Sequence, residues 1–152
     1  MLFILDIKMK AFVDYSQQKQ YNRTTSLLII AQTWRLVGIV FLWGMTQGLL
    51  NPAMAIPNGV GDILVGATAI PFAIFLLKGY TWSKYALVVW NVLGIADLVM
   101  AVTLGFITSP DFGVSKMTTI PWVFIPAIAV PATTALHVIT LYRLRNAESI
   151  RR

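Results

Sequence analysis

Four stretches of about twenty apolar residues, joined by short polar connections, decide what this chain can fold into. They cover 26–50, 59–77, 84–107 and 120–142. A helix rises about 1.5 Å per residue and a bilayer's hydrocarbon is about 30 Å thick, so each stretch is long enough to cross. Backbone polar groups in hydrocarbon must be satisfied within the chain, and helices do this. Only 12% of the residues are charged, against about 25% in a soluble domain. The fold class that follows is all-α: a polytopic membrane protein built as an up-down-up-down four-helix transmembrane bundle. The connections at 51–59, 78–83 and 108–119 are short or carry turn residues, which favours antiparallel neighbours. Pro71, Pro126 and Pro131 fall inside spans and predict kinks.

The chain then divides into an N-terminal segment over 1–25, a transmembrane domain over 26–142 and a basic tail over 143–152. The first segment reads either as an interfacial helix on the inner leaflet or as a mobile tail. Lys8, Lys10, Lys19 and Arg23 precede the first span, Lys78 and Lys84 flank the second connection, and Arg143, Arg145, Arg151 and Arg152 follow the last span. The first connection has no Lys or Arg and the third has only Lys116. Lysine and arginine favour the inner side. Both termini and the middle connection are therefore expected in the cytoplasm, and the localisation expected is a bacterial inner membrane. This bias accounts for the net charge of +6 without a nucleic-acid partner. Tyr80, Trp82, Tyr85 and Tyr142 are expected as anchors at the inner interface, and Phe112 and Trp122 at the outer one.

Much chemistry is excluded by composition. The chain has no Cys and a single His, His137. Its one Glu, Glu148, lies in the tail. Thiolate chemistry, histidine-rich metal centres and bis-His haem within one chain are out of reach. GxSxG, HExxH, GxxxxGK[ST] and GxGxxG are absent. No cofactor or metal is expected, and no residue is assigned a catalytic role.

What remains is a set of polar groups inside the spans, where an ionisable side chain is costly unless partnered and marks a site by default. They are Arg35, Asp62, Asp97 and His137, with Asn91 and Gln32. Helical spacing puts Arg35 with Ile39, Leu42 and Thr46, and Gln32 at the edge of that face. It puts Asp62 with Gly66, Ala69 and Ala73; Trp90 with Gly94, Asp97 and Ala101; and His137 with Pro126, Val130 and Thr133. Small residues beside polar ones mark faces packed on other helices, so the four faces should converge. Counting the rise from the inner side places His137 roughly 8 Å deep, Asn91 roughly 10 Å, Arg35 roughly 13 Å and Asp97 roughly 20 Å. Asp62 falls within about 5 Å of the outer edge. Arg35 can then reach Asp97, while Asp62 is expected too far away. One arginine cannot neutralise two buried carboxylates. The alternatives are that Asp62 sits in the first turn of its helix, favoured by the dipole, or that Arg35 snorkels to the interface. Trp34, Trp43 and Trp90 read as packing or as part of a site. Gly44 and Gly48 form a GxxxG that suits a bundle contact or a dimer seam.

Two motifs carry a family resemblance. WRLVGIVFLWG places Arg35, Gly38 and Phe41 on the first span, and GVGDILVG places Gly59, Gly61, Asp62 and Gly66 at the start of the second. Over 34–69 the chain resembles the DoxX-like family of small four-helix membrane proteins. It departs from that family in having Asp62 for the usual glutamate and Gln47 for a basic residue closing the first helix. The resemblance implies a four-helix bundle, often an accessory partner of redox or quinone-linked systems. A looser similarity, of residue types only, is to sterol-isomerase-like bundles, where intramembrane acids and tryptophans hold a lipophilic amine or sterol cation.

The function expected is non-catalytic. A polar intramembrane site of Asp97, Asp62, Arg35, Asn91, Trp90 and His137 binds a lipophilic small molecule or a lipid, or the chain is an accessory subunit of a redox-linked membrane complex. The alternatives are an oligomeric proton-coupled transporter and a membrane enzyme acting on a lipid by acid/base chemistry. The partners expected are the bilayer, such a ligand, and a homo-oligomer or membrane complex.

Overall fold

The computed structural model describes residues 2–107 and 118–146. Most of the third connection, with Phe112 and Lys116, and the end of the tail, with Glu148, Arg151 and Arg152, lie outside the described residues. Helix α1 runs Leu2–Ala31, passes through a 3-10 segment at Gln32–Gly38, and continues as α2 at Ile39–Thr46. Helix α3 covers Pro52–Leu77 and α4 covers Ser83–Ile107. A π-helical turn at Ile125–Ala129 leads into α5, Val130–Asn146. Among the described residues four helices, the first built from α1, the 3-10 segment and α2, are long and apolar enough to cross a membrane.

The elements pack as a ring: α1 on α3, α3 on α4, α4 on α5, and α5 back on α1. Each helix neighbours the one before and after it in sequence, which is the up-down-up-down arrangement. The surface is that of a membrane protein. Ile39, Leu64, Leu93, Val99 and Ile107 are exposed on its outer faces, while Arg35, Asn91, Thr133 and His137 have no accessible surface. Two apolar clusters fill the interior. One includes Ile29, Ala69, Leu76 and Leu87; the other holds Phe41, Leu50, Met54 and Ala55. Along α3, Asp62 falls between them.

Several boundaries differ from expectation, each for a local reason. Helix α3 starts well before Gly59 because Asn51 caps it, its side chain accepting from the Ala53 N–H at 2.8 Å, and Pro52 takes the first helical position, where its missing N–H costs nothing. The boundary expected near residue 25 falls inside a continuous helix. Residues 118–123 form turns and a bend, and the last helix begins at the π turn that contains Pro126. Gly48 does not join Gly44 in a helical seam. It lies beyond the end of α2 at φ 68°, and Gly79 ends α3 in the same way at φ 72°. Both serve as left-handed terminators. Trp122 is half-buried against the cluster of Phe41, Leu50, Met54 and Ala55.

Candidate functional site

The 3-10 segment organises the site. At 3.0 residues per turn, positions three apart stack in a row, and the buried residues of this segment are Gln32, Arg35 and Gly38. The row continues in both directions, through Ile29 on one side and Phe41 and Gly44 on the other. The α-helical face expected for Arg35 is therefore corrected: Ile39 is 62% exposed and Thr46 is also exposed. Glycines let α3 come close to this row. A methyl group on Gly38 would meet the Asp62 Cβ and the Gly59 carbonyl, and one on Gly66 would meet the Leu36 amide. The WRLVG and GVGDILVG motifs thus pack directly on each other.

Arg35 occupies the centre with no accessible surface. Its Nε donates to Asp62 Oδ1 at 2.6 Å and its Nη2 donates to Asp97 Oδ2. Its Nη1 faces the Gly94 carbonyl at 3.5 Å and His137 Nε2 at 3.3 Å. The expectation that Asp62 lies out of reach is overturned. Because α3 begins at Pro52, Asp62 lies roughly 15 Å along its helix, level with Arg35. Snorkelling of Arg35 and a first-turn position for Asp62 fall with it.

The hydrogen bonds fix their own direction. The Leu87 carbonyl can only accept, so Asn91 Nδ2 donates to it at 2.7 Å. Asn91 Oδ1 then faces His137 Nδ1 at 2.9 Å, which makes Nδ1 the protonated nitrogen and leaves the Nε2 lone pair for Arg35. A neutral imidazole is the form that can accept from a guanidinium. Trp90 closes this side: its ring meets the His137 ring edge-on at 5.4 Å, and its Nε1 donates to Thr68 Oγ1 at 2.8 Å. Gln32 Nε2 donates to the Thr133 carbonyl at 3.3 Å.

All six expected site residues therefore meet in one network, while Gln32 and Thr133 bond to each other beside it. Trp34 and Trp43 do not; they are 40% and 56% exposed on the outer surface. Pro126 is exposed too, because the wider π turn shifts its phase relative to Thr133 and His137. The centre is solid. A methyl group on Gly61 would strike the Asp97 carboxyl, and one on Gly94 the His137 ring. Both ring nitrogens of His137 are engaged. Asp62 and Asp97, with side chains 17% and 13% accessible, are the charged members that present surface.

Open space lies one turn further along. A cavity of about 160 Å³ is lined by Phe41, Met54, Asn58, Ala101, Gly105, Ile125 and Val130, among others. Asn58 and Ala101 each stand one helical turn from Asp62 and Asp97, so the cavity adjoins the carboxylate end of the network. Its mouth includes exposed Val102 and Phe106, which opens it to the outer surface of the bundle. Asn58 is 2% exposed, and neither its Nδ2 nor its Oδ1 has a hydrogen-bond partner. The sequence reading missed Asn58, taking NPAMAIPNG for a loop; the Asn-Pro cap signal at Asn51 was the available clue to a longer helix.

The model of a domain of unknown function, DUF8737, matches residues 2–145. The chain belongs to the DUF8737 family. No curated protein and no solved structure matches it. The DUF8737 match spans the whole bundle.

Proposed function

We propose that this DUF8737 protein binds a small lipophilic molecule with a cationic or hydrogen-bond-donating head, without catalysis, and takes it up sideways from the bilayer. The observation that carries the reading is Asn58: a buried amide with both polar atoms unpartnered, on the wall of an otherwise apolar cavity. A buried amide without partners costs about 1–3 kcal/mol, and a polar group on a ligand would remove that cost. The neighbouring network favours a cation. One guanidinium facing two carboxylates leaves a surplus negative charge when both are ionised, and those carboxylates are the accessible charged members. A volume of about 160 Å³ suits a head and a few methylenes, with the tail leaving between Val102 and Phe106.

In this reading the intramembrane aspartates Asp62 and Asp97 set the charge preference, and Arg35, Asn91, Trp90 and His137 hold them in place. Tyr21 and Arg143 stack at 4.6 Å, and Asn22 reaches the Leu76 carbonyl at 3.3 Å. The start of the first span thus shares an end of the bundle with the close of α3 and of α5. The lysines and arginines gathered there support a cytoplasmic placement of that end in a bacterial inner membrane.

Photolabelling tests the proposal. A long-chain amine bearing a diazirine, photolysed with the full chain in nanodiscs, is expected to label Met54, Val102 or Phe106, and more strongly than the matched alcohol. Ala101→Phe fills the cavity and should abolish that labelling. Equal labelling of wild type and Ala101→Phe would overturn the reading.

A further inference from the structure

Among the described residues two asparagines are buried inside helices, and they differ in one respect. Asn91 is saturated: its Nδ2 donates to the Leu87 carbonyl at 2.7 Å and its Oδ1 meets His137 Nδ1 at 2.9 Å. Asn58 is 2% exposed, lines the apolar cavity of about 160 Å³, and leaves both its Nδ2 and its Oδ1 without a partner. An asparagine inside a helix can turn back to the carbonyl four residues earlier, as Asn91 does and Asn58 does not. Phe41, Met54, Ala101 and Ile125 stand with it on the wall and offer no polar side chain. Asp62 lies four residues further along α3, on the same helical face, and there accepts from Arg35.

We propose that the occupant of this cavity is a long-chain amino alcohol, with an ammonium and a hydroxyl on adjacent carbons. This head is chosen within the binding function proposed above and rests on it. An open amide asks for two partners at once, an acceptor for Nδ2 and a donor for Oδ1. An ammonium has three donors and no acceptor, so a plain amine serves Oδ1 and leaves Nδ2 buried and unpaired. A plain alcohol serves Nδ2 but brings no charge to the carboxylates one turn away. Oδ1 and Nδ2 belong to one planar group, so their two partners must also sit side by side. Substituents on adjacent carbons do so, and a hydroxyl further down the chain does not. In the bound head the ammonium donates to Oδ1 and turns its remaining protons toward Asp62 and Asp97. The hydroxyl oxygen accepts from Nδ2. The alkyl chain leaves through the mouth at Val102 and Phe106, both exposed.

Competition against the diazirine-bearing amine, with the full chain in nanodiscs, tests this choice of head. A long-chain amine carrying a hydroxyl on the adjacent carbon should block labelling at about one-fifth the concentration needed by the plain amine of equal length, the gain of one further hydrogen bond. Moving the hydroxyl to mid-chain should remove the gain. The side-chain amide signal of Asn58, identified by its absence from Asn58→Leu, should move further downfield in the nitrogen–proton spectrum with the amino alcohol than with the amine. Three results would each overturn the amino alcohol while leaving the amine-binding function in place: equal potency of the two ligands, an equal gain from the mid-chain hydroxyl, or an amide signal that responds alike to both. Failure of the diazirine amine itself to label the protein would overturn both readings together.

Discussion

Arg35 Nε stands 2.6 Å from Asp62 Oδ1, joining a 3-10 turn of the first span to a residue well inside the second. The same guanidinium holds Asp97 from the third span and His137 from the fourth. One side chain therefore touches all four walls of the bundle, and the packing of each helix is conditional on it.

Removing that side chain should be severe. Arg35→Met is expected to cost about 3–5 kcal/mol, because it leaves two carboxylates facing each other without a cation. Arg35→Lys should recover little, since an ammonium lacks the planar fork that serves partners on several sides. Replacing Arg35, Asp62 and Asp97 together by Met, Leu and Leu should be far milder than Arg35→Met alone. Thermal unfolding in a single detergent ranks the three.

The two aspartates should behave as substitutes for one another. Asp62→Asn or Asp97→Asn leaves Arg35 with one counter-charge, and each is expected to cost about 1 kcal/mol. The double variant strands the guanidinium and should cost about 1–3 kcal/mol more than the sum. A double-mutant cycle on unfolding free energy checks the excess; strict additivity would contradict the shared-arginine geometry.

Glycine positions offer a graded comparison. Gly61→Ala and Gly94→Ala drive a methyl into the Asp97 carboxyl and the His137 ring, and should each destabilise by about 1–3 kcal/mol. At Gly105 the nearest atom, Met54 Cε, is 3.9 Å from the added carbon, so Gly105→Ala should stay within about 0.5 kcal/mol of wild type. Melting temperatures of the three variants provide the readout.

Asn58→Leu should separate stability from binding. It removes two unpartnered polar atoms, and the ligand-free protein should gain about 1 kcal/mol. The same variant should lose the photolabel expected from the long-chain amine. A variant that is both less stable and still labelled would place the amide in some other role.

Much of this arrangement was legible from spacing. Small residues beside Asp62 and Asp97 marked the inward faces of α3 and α4, and the charged positions themselves named the site. Two things were hidden. The depth of Asp62 depended on where α3 starts, and prolines at 52 and 57 made its first turns read as a loop. The burial of Arg35 depended on a 3-10 segment, which replaces the 3.6-residue period with one of three. An α-helical wheel sends Ile39 inward with Arg35, while the structure sends Gly38. The Asn58 cavity was hidden by the same misplaced start, since an asparagine in a loop gives no reason to look for a missing partner.

The tight winding of Gln32–Gly38 has a further consequence. Each 3-10 residue turns about 20° more than an α-helical one, so this segment accumulates about 140° of extra rotation. Were it to relax into ordinary helix, the far half of the first span would swivel, carrying Phe41 and Gly44 away from the interior while Arg35 stayed behind. Phe41 lines the apolar cavity, so the winding of this segment, with Arg35 at its middle, also sets the shape of the cavity wall.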